Sequence, residues 1–240
     1  MPDFRYDLSV DVHDLDYNGI CKTSSLMKYI QSAAQSQLTG IGLSYDELKK
    51  RNRAFIISKI KMEFFEPIRA YEALTAISFP CESRGFSFLR CYGLERNGVP
   101  VGRAASIWAL VNLESRALVP VRDFELGLDL LPPIDMALDR ILMPKSEIKV
   151  GTYTVNYADT DQNRHMNNTH YPDMYANFLD LDGKRVRTMS IQYMKEAPMG
   201  ELLSVYRAYE DGIYYFKTVR ADGEINTLAT VELVDCKYCD

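Results

Sequence analysis

Apolar and polar positions alternate with period two in "FRYDLSVDV" near the N-terminus and again in "GTYTVNY" from Gly151, the pattern of strands with one buried face. After each run the period lengthens to that of a helix. Leu26, Tyr29, Ile30, Ala33 and Ala34 mark the first apolar stripe, and Tyr171, Met174, Tyr175, Phe178 and Leu179 the second. Pro172 fits the second helix in its first turn, where the missing N–H costs nothing. Period two then returns in "SKIKMEFF" and "TMSIQYM", and the dipeptides Asn97-Gly98, Asp211-Gly212 and Asp222-Gly223 predict turns between later strands. Each half therefore reads as strand, helix and about four antiparallel strands, an α+β pattern made twice. The first half also carries an insertion, "GIGLSYDELKKRNRAF", in which Ser44 and Glu47 have capping-box spacing and predict a short extra helix. Between the halves, "LGLDLLPPIDMALDRILMPKSE" holds Pro132-Pro133 and no alternation, so it reads as a linker packed across the surface.

Between strand and helix, each half places a polar motif, and the two motifs align at one constant offset. Asp14 matches Asp159, Asp16 matches Asp161 and Asn18 matches Asn163, each 145 residues apart. Where the second copy has His165, the first has Ile20. The Asp-x-Asp-x-Asn spacing also opens an EF-hand loop, but such a loop needs a closing Glu at its twelfth position. Those positions are Ser25 and His170, so neither copy is a calcium site. Helix capping and turn formation explain the first copy, since Asp and Asn side chains do both well. They do not account for His165, the one group in the aligned core that exchanges protons near neutral pH. His13 and His170 read as surface or capping residues, and Trp108 in "ASIWALV" as a core residue.

Composition narrows the class. At 240 residues the chain has room for one large domain or two small ones, and a net charge of -5 argues against generic nucleic-acid binding. No apolar run reaches membrane-spanning length, and the opening "MPDFRYDLSVDV" has neither signal-peptide nor transit-peptide character, so a cytoplasmic location is expected. Five cysteines without disulfide-like spacing suit a reducing compartment. Cys236 and Cys239 form a CxxC that lacks a second ligand pair and reads as reduced thiols in a last strand.

A helix wrapped by an antiparallel sheet, made twice in one chain, resembles the tandem (double) hot-dog fold. "DTDQNRHMNNTHY" is similar to the active-site segment of hot-dog thioesterases. Its D-x-N-x-H core, followed 31 residues after the His by Glu196 in "IQYMKEAP", resembles the acyl-acyl-carrier-protein (acyl-ACP) thioesterases of fatty-acid synthesis, in their bacterial branch. The resemblance implies an N-terminal hot-dog domain over 1–125 with a degenerate site and an acyl pocket. It implies a linker over 126–146 and a catalytic hot-dog domain over 147–240. It assigns catalysis to Asp161, Asn163, His165 and Glu196: Glu196 and His165 to activate water, Asn163 to position, Asp161 to orient and charge-balance the His. Carboxylate attack through an acyl anhydride stays open as an alternative. Many plant members carry Cys after this Glu; here Ala197 stands there, which removes a cysteine nucleophile. The motif would lie at the N-terminal end of the central helix, where free N–H groups and the dipole favour an oxyanion. Ile20, Leu26 and Ile30 are expected to contact the acyl chain. Lys184, Arg185 and Arg187, the densest cationic run, are the candidate dock for an acidic carrier protein, with Val186 inward and the two arginines outward. The reading calls for acyl carrier protein as partner, no metal or cofactor, no nucleic acid and no membrane span, and leaves homodimerisation open. An acyl-coenzyme A thioesterase is the nearest alternative, with a non-catalytic acyl binder or a hot-dog dehydratase further off.

Overall fold

The computed structural model describes residues 3–236, which fall into two compact units. One gathers the chain up to Val10, Lys28–Glu66 and Tyr71–Leu138. The other gathers Asp11–Met27, Pro67–Ala70 and the chain from Asp139 onward, so the first copy of the polar motif clusters with the second half of the sequence.

The first half runs β1 (Phe4–Ser9), α1 (Thr23–Gly40), α2 (Tyr45–Lys50), β2 (Arg53–Phe64), β3 (Ala73–Pro80), β4 (Phe88–Arg96), β5 (Val99–Asn112) and the two-residue β6 (Leu118–Val119). Its strands pair antiparallel in the order β1-β3-β4-β5-β2, with β6 on β5. The extra helix α2 starts where the spacing places it: the Ser44 hydroxyl accepts the Glu47 N–H at 3.3 Å. One face of this sheet is turned to α1. From it Arg90, 6% exposed, donates to Gln37 Oε1 of α1 at 2.6 Å and to Ser78 Oγ of β3 at 2.7 Å. The opposite face, around Cys81, Cys91 and Ala105, is covered by Ile134, Met136 and Leu138, so the proline-containing connection packs on the sheet as its composition suggests. Trp108 is half-buried and donates its indole N–H to Ser106 Oγ at 2.7 Å.

The second half runs β7 (Ile148–Thr154), α3 (Tyr171–Ala176), β8 (Lys184–Tyr193), β9 (Leu202–Glu210), β10 (Ile213–Val219) and β11 (Ile225–Asp235), in antiparallel order β8-β11-β10-β9-β7. Asn97-Gly98 and Asp211-Gly212 have φ of 52° and 77°, and 51° and 82°: both residues of each turn are left-handed, as two-residue hairpins require.

The two helices are not alike. Where α1 has 18 residues, α3 has six, so the helical stripe expected through Leu179 stops early. Pro172 does sit in the first turn. The Asn177 N–H still reaches back to Asp173 O, but those of Phe178 and Leu179 tighten onto Tyr175 O and Ala176 O. The Asp182 N–H then bonds Asp180 Oδ1 at 3.3 Å, Gly183 takes φ 63°, and the chain turns into β8. Phe178 keeps helix spacing for another reason: its ring lies over Gly151, where a Cβ would come within 2.7 Å of Cε1. A helix this short is held by packing rather than by propensity. Tyr175, fully buried, lies 4.8 Å from the Phe216 ring and shares a 2.5 Å hydrogen bond with Thr227 Oγ1. Cys236 is a half-buried free thiol; Cys239 lies outside the described residues.

Candidate active site

The two polar motifs fold into the same backbone turn. Asp11 N–H bonds Asp14 Oδ2 at 3.2 Å, and its counterpart Asn156 N–H bonds Asp159 Oδ2 at 2.8 Å. Asp16 Oδ1 accepts the Asn18 N–H at 2.9 Å, and Asp161 Oδ1 the Asn163 N–H at 2.8 Å. Asp16 N–H then closes on Ile20 O at 2.8 Å, and Asp161 N–H on His165 O at 3.0 Å. Each turn needs one left-handed residue: Gly19 at φ 69° in the first, Arg164 at φ 63° in the second. Glycine takes that conformation freely, whereas a side chain there costs about 1–2 kcal/mol. The catalytic candidate thus holds more backbone strain than its twin.

The correspondence extends to the segment that each motif meets. Cys21 N–H bonds Ile68 O at 2.7 Å, and Met166 N–H bonds Ala197 O at 2.8 Å. Ile68 therefore corresponds to Ala197, and the residues just before them, Pro67 and Glu196, correspond to each other. The first copy lacks both ionisable groups, with Ile20 for the histidine and Pro67 for the carboxylate. In the second copy His165 Nδ1 lies 3.4 Å from Glu196 Oε2, and His165 also bridges to Pro198. The imidazole is 32% exposed and the carboxylate 54%, so the pair is reachable from solvent.

The other two motif residues pair with each other. Asp161 accepts from both the backbone N–H of Asn163 and its Nδ2, at 2.8 and 3.4 Å, so its carboxylate fixes the asparagine. The carboxylate beside the imidazole is that of Glu196. The helix after the motif is one 3-10 turn, Asn168–His170, and then the six residues of α3, too short for the full macrodipole expected there. Asn18, the first copy's counterpart of Asn163, is occupied otherwise: its Nδ2 donates to Leu181 O at 2.6 Å and Lys184 O at 3.1 Å.

Tyr171, 2% exposed and near enough to Glu196 to sense its charge, lies edge-on to Tyr193 with centroids 5.4 Å apart. Burial, with a smaller contribution from the Glu196 charge, pushes its phenol up to about 12, so it remains a neutral hydrogen-bonding group. Asn226 Nδ2 donates to the Tyr171 hydroxyl at 3.0 Å; the sequence marks Tyr171 only as a helical stripe position and Asn226 only as a polar residue in an apolar strand.

Ile20, Leu26 and Ile30 are all buried. Of the cationic run, Arg187 is exposed and lies 3.4 Å from Glu232, whereas Lys184, Arg185 and Val186 are each half-buried, so the alternation is less sharp than expected. His13 is nearly fully exposed, and His170 rests 3.7 Å from Asp159 Oδ1, as surface and helix-start residues. Among the described residues no group of three His, Cys, Asp or Glu side chains is arranged to hold a metal.

Comparison with known proteins agrees with this architecture. Residues 2–125 match the family model of the acyl-ACP thioesterase N-terminal domain, and residues 143–234 that of the C-terminal domain. An acyl-ACP thioesterase structure from Bacteroides thetaiotaomicron superposes with a TM-score of 0.88 at 20% identity, covering 97% of this chain and 98% of that one. The 12:0-ACP thioesterase from Umbellularia californica gives 0.82 at 15% identity over 98% of each chain. Both carry the tandem hot-dog fold into which this chain falls. A curated relative, the chloroplastic acyl-[acyl-carrier-protein] hydrolase FATB3 of Cuphea viscosissima, is 23% identical over 185 residues, 70% of this chain and 45% of the relative. The chain thus spans about half the length of that curated relative. With both domain models matched over most of its length, the chain belongs to the acyl-ACP thioesterase family.

Proposed function

We propose that the protein hydrolyses fatty acyl-ACP thioesters to free fatty acid and carrier thiol, ending fatty-acid synthesis in the cytoplasm. The observation that carries this reading is the His165–Glu196 contact, present in one motif copy and replaced by Ile20 and Pro67 in the other. Together His165 and Glu196 take a proton from water as its oxygen attacks the thioester carbonyl carbon. The new C–O bond pushes the carbonyl pair onto oxygen, and the Asn163 amide, which Asp161 holds, is assigned to position the thioester and to donate to that oxyanion. Collapse breaks the C–S bond, and the stored proton goes to the departing thiolate. The domain scheme of 1–125, 126–146 and 147–240 assigns this chemistry to the last part and the acyl chain to the first, with Ile20, Leu26 and Ile30 as apolar contacts. Turnover of matched acyl-ACP and acyl-coenzyme A substrates tests the carrier assignment: kcat/KM should favour the ACP ester at least tenfold, and a preference for coenzyme A would reject it.

An acidic carrier must approach a protein of net charge -5, so productive encounter needs a local patch of opposite sign. Lys184, Arg185 and Arg187 at the start of β8 are the proposed patch. Changing Arg185 and Arg187 to Glu is expected to raise KM for acyl-ACP several-fold, with the penalty shrinking as salt is added. Hydrolysis of a small acyl thioester without the carrier should change little. Equal losses on both substrates would remove the patch from the scheme.

A further inference from the structure

Asn226 is the node of a buried hydrogen-bond network that ends on the backbone leading into Glu196, and we infer that it is the positioning residue for that carboxylate, an inference that rests on the catalytic reading of Glu196 above. The local cause is a bulge. Asn226 and Thr227 are consecutive in β11 yet both are 0% exposed, whereas neighbours in a regular strand face opposite sides. Thr218 of β10 pairs with Thr227, but Val219 pairs with Ile225, so Asn226 is the extra residue with no opposite number. Such bulges bend a strand and re-aim a side chain.

The carbonyl released from the ladder is used at once. Asn226 O accepts the N–H groups of Met194 at 2.8 Å and Lys195 at 3.1 Å. Its side-chain Nδ2 donates to Lys195 O at 2.5 Å and to the Tyr171 hydroxyl at 3.0 Å, while Oδ1 accepts from Thr218 Oγ1 at 2.9 Å. Both amide hydrogens and the amide oxygen are therefore engaged. A flipped amide would set its oxygen against the Lys195 carbonyl, so only one orientation is satisfied. Three bonds from this one residue fix Met194 and Lys195, and Glu196 is next in the chain.

On the other side of Glu196, Ala197 O accepts the Met166 N–H and Pro198 bridges His165. Glu196 thus stands between two clamps, the motif turn and Asn226. The clamps matter because the carboxylate itself is 54% exposed and rests only 3.4 Å from His165. An exposed side chain stays in productive geometry only if its backbone is fixed, and a misplacement of about 1 Å can cost on the order of a hundredfold in rate.

The test is a double-mutant cycle on acyl-ACP hydrolysis at steady state, with Asn226→Ala, Glu196→Ala and the double variant. Thermal melts come first; Asn226→Ser, which keeps a hydroxyl in the buried site and sets no charge against the Lys195 carbonyl, replaces Asn226→Ala should the latter lose its cooperative transition. Asn226→Ala is expected to lower kcat about a hundredfold with KM within about threefold. In the Glu196→Ala background the same change should cost less than about twofold, because the group it positions is gone. An equal loss in both backgrounds, or an unchanged kcat in Asn226→Ala while Glu196→Ala is strongly impaired, overturns the positioning role alone. Full activity in Glu196→Ala overturns the catalytic reading, and the positioning role with it.

Discussion

His165→Ala is expected to lower kcat on an acyl-ACP substrate by about a thousandfold, within the span general acid–base groups contribute, and to leave the melting transition in place. The fold is spared because the turn is closed by backbone groups that alanine also has: His165 O accepts the Asp161 N–H, and Met166 N–H bonds Ala197 O. Ile20 occupies the same place in the first copy and gives the contrast. It is 5% exposed, so Ile20→Val removes one buried methyl and costs about 1 kcal/mol. That variant should keep turnover within a few-fold while its chain-length preference shifts. An Ile20→Val protein of unchanged stability and no activity would end the division of labour between the copies.

Tyr175→Ala is expected to be the most damaging substitution for stability, at about 3–5 kcal/mol and a melting temperature lower by on the order of 10 °C. Tyr175 is fully buried on a six-residue helix, lies 4.8 Å from the Phe216 ring and bonds Thr227 Oγ1. Tyr175→Phe keeps the ring and loses only the hydroxyl. Thr227 Oγ1 retains its 2.6 Å bond to Thr218 Oγ1, so the cost should be about 1 kcal/mol. Equal shifts in melting temperature for the two variants would show that the hydrogen bond, not packing, anchors α3.

What could be read from the sequence was whatever local chemistry determines. The repeated turn was legible because Asp16 and Asp161 are needed at the same place to receive the same N–H groups. The cap of α2 and the left-handed hairpin turns were legible for the same reason. The length of α3 was not, because Phe178 and Leu179 have helix spacing but are turned by the Asp180–Gly183 segment, and Phe178 serves to fill the space over Gly151. Pro67 was hidden by register: the offset of 145 at the motif falls to 129 at Ile68 and Ala197, the difference being spread over the longer α1, the connection that carries α2 and the longer β2. Asn226 was hidden because a bulge is a property of strand pairing, and nothing within "INTLATVELV" marks which residue will lack a partner.

The most direct measurement is incubation of the purified protein with a mixed pool of acyl-ACP thioesters, with free thiol and chromatographed free fatty acids counted in the same sample. Hydrolysis at the His165–Glu196 pair predicts thiol and acid in one-to-one ratio from the wild-type protein and both about a thousandfold slower, though still measurable, from Glu196→Ala. Acyl-ACP that is bound but yields no thiol, or is converted from 3-hydroxyacyl to enoyl ester with its thioester intact, would contradict it.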